Sequence, residues 1–105
     1  MPRKQPTKSF LEIRNYTEKF RWNDPITGQK QTGFNPPENA PFKERVPFFI
    51  RYITQEGKVQ SGNVVCISVD TRHLQRSIKF VNSTEIRRVC DYLIIEIDGV
   101  RFLTH

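Results

Sequence analysis

IRRVCDYLIIEIDGVRFL, residues 86–103, is the stretch whose reading decides the fold. Its end carries the strongest local signal in the chain. Asp98-Gly99 lies between two alternating apolar runs, Tyr92–Ile97 and Val100–Leu103, and an Asp-Gly pair accommodates the positive φ angles of a type I′ hairpin turn. Its beginning reads in two ways. Ile86, Val89, Cys90 and Leu93 follow the i, i+3, i+4, i+7 spacing of a helix, and Asn82 with Glu85 offers a capping box. Val89, Asp91, Leu93, Ile95 and Ile97 also fit the two-residue period of a strand, with no break before an evident strand. The strand reading takes precedence.

Working back from this stretch, the same grammar recurs. Arg76–Val81 alternates with Ile78 and Phe80 inward, and Thr71–Gln75 is a polar connection. Val59–Asp70 is a long strand pattern with Val65, Ile67 and Val69 on one face, and Gly62 marks a bulge or a bend. Val46–Thr54 is aromatic and β-branched, and Gln55–Lys58 supplies a turn containing glycine. Five short antiparallel strands joined by tight turns predict an all-β fold, a small antiparallel SH3-like or Sm-like barrel. The helical reading of residues 84–91 gives the alternative, an α+β domain with one short helix there.

Composition agrees with β. Isoleucine, valine and threonine number 26 of the 105 residues, whereas alanine, leucine and methionine number six. Branched side chains lose rotamer freedom in a helix and pack well on a pleated sheet, as do the eight phenylalanines. The chain also divides. All seven prolines lie in residues 1–47, and residues 1–45 are poorer in apolar side chains than residues 46–105. The expected organisation is a basic, proline-containing N-terminal segment over 1–45 and a β-barrel-like domain over 46–105. Within the first, Thr17–Trp22 and Lys30–Phe34 flank a loop with turn chemistry, so a hairpin is expected across 17–34. Phe10, Ile13, Thr17 and Phe20 have roughly helical spacing, and Pro36, Pro37 and Pro41 make an extended linker.

Several kinds of chemistry find no footing. Cys66 and Cys90 are too few for a disulfide scaffold and form no C-x-x-C, so they read as reduced, buried thiols. His73 follows Asp70 in a charged loop, but no nucleophile accompanies the pair, and Glu96 with Asp98 is explained by strand alternation and the turn. Phosphate-cradling glycine loops and hydrolase elbows are missing. The expectation is a protein that is not an enzyme and uses no cofactor or metal. A membrane span and a secretory leader are likewise not expected, which places the chain in the cytoplasm.

What remains is a net charge of +6. Arg3, Lys4 and Lys8 make a basic tail. Arg14, Lys19 and Arg21 are interleaved with Phe10, Tyr16, Phe20 and Trp22, and a second basic group comprises Arg72, Arg76, Lys79, Arg87 and Arg88. Cations neutralise phosphates and release counterions, and exposed rings stack on unpaired bases. The candidate nucleic-acid-binding residues are therefore Arg14, Lys19, Arg21, Trp22, Arg72, Arg76, Lys79, Arg87 and Arg88, with RNA or DNA as partner. The competing reading is a small structural or accessory protein. It would assemble with a protein partner or with its own copies through the N-terminal segment and unpaired sheet edges.

Overall fold

The computed structural model describes residues 12–102; the basic tail at Arg3, Lys4 and Lys8 and the terminal His105 lie outside this range. A four-residue helix, α1 (Arg14–Thr17), leads into nine strands. They are β1 (Phe20–Asn23), β2 (Lys30–Gly33), β3 (Lys43–Arg45), β4 (Phe48–Ile53), β5 (Val59–Asp70), β6 (Gln75–Phe80), β7 (Ile86–Cys90), β8 (Ile94–Ile97) and β9 (Val100–Arg101). Strands β2-β1-β3 form a small sheet and β7-β6-β5-β4-β8-β9 a large one, with every pairing antiparallel. No helix among the described residues is long and apolar enough to cross a membrane.

Of the stretch 86–103, residues 86–102 form strands joined by a 3-10 turn and a hairpin turn, with no α-helix. Val89 turns inward on β7, opposite Arg76, and a short 3-10 turn at Asp91–Leu93 separates β7 from β8. The helical spacing of Ile86, Val89, Cys90 and Leu93 therefore joins positions from a strand and a turn. The capping box does not form either: the Ser83 hydroxyl, not Asn82, accepts the Glu85 amide at 2.9 Å. At the other end, Asp98 (φ 50°) and Gly99 (φ 84°) both take positive φ and link Ile97 directly to Val100. The Asp98 carboxylate also accepts the Phe49 amide at 2.8 Å, fastening the turn to β4.

The fold is all-β, as expected, and the large sheet does not close into a barrel. The 3-10 turn carries the chain from the β6 side of the sheet across to β4, so β8 pairs with β4 and the sheet ends at β7 and β9.

The face of β5 also needs correcting. Val64 and Cys66 are fully buried, whereas Val65 and Ile67 face outward. A register shift between Cys66 and Ser68 leaves Ile67 unpaired against β6, after which Val69 sits opposite Arg76 and packs on the core. One extra residue inverts the phase of a two-residue repeat. Of the three residues expected to share a face, only Val69 faces the core.

One core serves both halves of the chain. Ile13 is fully buried in the same cluster as Ile50, Val64, Ile78, Ile94 and Ile97. Tyr16 meets the Phe102 ring edge-on at 5.4 Å, and the Val46 amide donates to Lys19 O at 3.0 Å. Residues on either side of Val46 thus lose the same apolar surface to water.

Gly62 is explained by close approach: a Cβ there would lie 2.8 Å from Cε1 of Phe80. Gly62→Ala forces that ring off its site, and urea unfolding is expected to show a loss of about 1–3 kcal/mol. Trimming the ring in Gly62→Ala/Phe80→Leu should return part of it. An unchanged midpoint for the single variant would contradict this packing.

Candidate nucleic-acid interface

The β5–β6–β7 surface is built by alternation. In register, Val65 faces Lys79 and Lys79 faces Ile86; Ser68 faces Ser77 and Ser77 faces Arg88. Lys79 and Arg88 therefore stand on the outward face, two positions apart on neighbouring strands. The bulge at Ile67 brings Ser68 into the Ser77–Arg88 row, and these residues with Gln75 line a dent of about 60 Å3. Arg72 is exposed in the turn that joins β5 to β6. Arg72, Lys79 and Arg88 have no acid partner among the described residues.

Asp70 is the acid closest in sequence to this turn, and it is engaged. Its carboxylate accepts the His73 side chain (Nδ1, 2.8 Å) and the His73 amide (3.2 Å). These bonds hold its pKa below the usual carboxylate value. Tyr92, 44% exposed, stands beyond Cys90 on the 3-10 turn, and the Cys90 thiol pushes its phenol pKa up. Gln75 reaches the same sulfur at 3.8 Å. An aromatic ring is thus presented near one end of the cationic face.

The remaining candidates are placed differently. Arg76 is 5% exposed and fixed inside. Its guanidinium forms a two-pronged pair with Asp91 (Nε–Oδ1 2.7 Å, Nη2–Oδ2 3.1 Å), and Nη1 donates to Glu18 at 3.0 Å and to the Thr17 hydroxyl. Burial works against its charge, but the Asp91 hydrogen bonds and the Asp91 and Glu18 charges outweigh that and raise its pKa. Arg76 is a structural lock between α1, β6 and the 3-10 turn, with no free side for a phosphate. Alternation carried the signal: Arg76 is in phase with Ile78 and Phe80, both inward on the same strand.

Arg87 sits opposite Ile78, on the other face from Lys79 and Arg88, and pairs with Glu85 at 2.7 Å. Arg14 pairs with Glu18 at 3.7 Å and covers the Phe34 ring at 5.1 Å. Arg21 pairs with Glu44 across β1–β3. Lys19 is exposed between α1 and β1, apart from the β5–β7 surface in sequence and fold. The aromatic platform expected at Phe20 and Trp22 is largely used up by packing. The Arg45 guanidinium lies 4.0 Å from the Phe20 centroid, and Trp22 is half-buried against Gly33. Sequence reading missed Ser68, Ser77 and Tyr92, which gain meaning only from strand register and the turn.

Comparison with protein-family models, with curated proteins and with solved structures finds no match to this chain.

Proposed function

We propose that the protein is a non-enzymatic module that binds the phosphate backbone of RNA or DNA on the outward face of β5, β6 and β7. The observation that carries this reading is that three of the candidate cations lie together without an acid. Among the candidate cations Arg14, Arg21, Arg76 and Arg87 are paired with acids, whereas Arg72, Lys79 and Arg88 have no acid partner among the described residues and stand on or beside a single face, with Lys19 apart from them. Unpaired cations release counterions on meeting phosphates, with no internal ion pair to break first. Ser68 and Ser77 add hydroxyl donors of the kind that contact phosphate oxygens, and Tyr92 offers a ring for an unpaired base.

The finer architectural reading is an open SH3-like unit. It is supported by four sequential antiparallel strands, β4 to β7, a 3-10 turn, and β8 returning to pair with β4. In this reading the small sheet and α1 are additions seated on the same core.

Two charge-reversal variants test the location. Lys79→Glu/Arg88→Glu is expected to weaken binding of a labelled single-stranded oligonucleotide about tenfold or more, because each reversal replaces a phosphate contact with a repulsion. Lys30→Glu/Lys43→Glu, on the small sheet, should leave it nearly unchanged. Equal losses from both, or a loss only from the second, would move the interface elsewhere.

A further inference from the structure

The open side of the large sheet has chemistry of its own. β7 pairs with β6 along one edge, and its other edge has no strand partner among the described residues. That edge borders a cleft of about 440 Å3, walled on the far side by the β4–β5 turn from Thr54 to Lys58. Ile53, Phe80, Ile86 and Leu93 supply its accessible apolar surface, and Tyr52 and Val89, also in the lining, are nearly fully buried. Its cations are Lys58, Arg87 and Arg88, and its one lining acid is Glu56. Lys58 and Arg88 have no acid partner among the described residues, while Arg87 is shared with Glu85.

We propose that this cleft takes an extended acidic peptide, which adds a strand to β7. An unpaired strand edge presents N–H and C=O groups in alternation, the pattern that another polypeptide backbone completes. The five residues of β7 offer an edge of roughly 17 Å at the strand rise. Apolar side chains of the added strand would meet Phe80 and Leu93, and its carboxylates would meet Lys58 and the two arginines that β7 presents on its opposite faces, Arg87 and Arg88. A second copy of this chain is disfavoured, because two β7 edges would bring Arg87 and Arg88 against each other. Residues 1–11, with Arg3, Lys4 and Lys8 against no acid, carry the same sign as the cleft. A nucleic acid would feel the cations but could not complete the backbone ladder.

The proposal stands apart from the nucleic-acid reading and is tested separately on the full chain. The probe is a labelled peptide of alternating glutamate and valine, compared with its lysine–valine counterpart and a single-stranded oligonucleotide. With the acidic peptide bound, the backbone amides of residues 86–90 that point away from β6 should exchange hydrogen at least about tenfold more slowly. Lys58→Glu/Arg87→Glu should weaken the peptide about tenfold, whereas Arg72→Glu/Lys79→Glu should leave it unchanged. Folding of each variant is checked by near-ultraviolet circular dichroism, and the exchange measurement on the unaltered protein stands without them. Absence of protection at 86–90 would overturn the proposal. So would equal protection by the lysine peptide or the oligonucleotide, or dimerisation through β7 in sedimentation.

Discussion

Arg76→Ala is expected to cost about 3–5 kcal/mol of folding stability, the range for removing one partner of a buried ion pair. The reason is what the substitution leaves behind. Asp91 is 5% exposed and takes both oxygens to the guanidinium, so its carboxylate would stay buried without its counter-ion. The Thr17 hydroxyl, which donates to Ile13 O at 3.0 Å, would lose the Arg76 donor at the junction of α1 and the core. An apolar pair of similar volume, Arg76→Met/Asp91→Leu, removes both charges and should recover most of the loss. Glu18 reaches solvent and has Arg14 at 3.7 Å, so it tolerates the change. Urea unfolding of both variants measures this. A single variant as stable as the parent, or a double variant no better than the single one, would contradict the lock.

Ile13→Ala is expected to cost about 2–5 kcal/mol, the range for truncating a fully buried aliphatic side chain whose cavity cannot collapse. Ile13 has no exposed surface and belongs to the cluster with Ile50, Val64, Ile78 and Ile97, although it precedes the first strand. The manner of unfolding is as informative as its size. Since one core spans both halves, Trp22 fluorescence and far-ultraviolet circular dichroism should report one coincident transition in urea. If Trp22 responds at lower denaturant than the main sheet, the N-terminal segment folds as a separate unit and the shared core is wrong.

These two residues also mark where the sequence was hard to read. Residues 1–45 are thin in apolar side chains, and that average conceals Ile13, Tyr16 and Thr17, three positions buried or packed on the core. Arginine is seldom fully buried unless paired, so residue type alone places Arg76 with the surface cations. Its partners, Asp91, Thr17 and Glu18, come from distant parts of the chain. The β8–β9 hairpin was legible because Asp98-Gly99 encodes its turn locally. The phase of β5 was not, because nothing in GNVVCISVD announces the extra residue at Ile67. Nor does a glycine or proline announce the 3-10 turn at Asp91–Leu93, after which β8 pairs with β4. Of the candidate site, the cations were visible in the sequence. Which of them are spent on internal acids, and which share a face, follows only from register.

The central claim is that Arg72, Lys79 and Arg88 form a phosphate-contacting face, and the salt dependence of binding addresses it most directly. For a single-stranded oligonucleotide, three neutralised phosphates give a slope of log affinity against log salt of about −2. The protein should show that slope or a steeper one, and Arg72→Glu/Lys79→Glu/Arg88→Glu should flatten it by about that amount. A slope near zero, or one that the triple reversal leaves unchanged, would contradict the account.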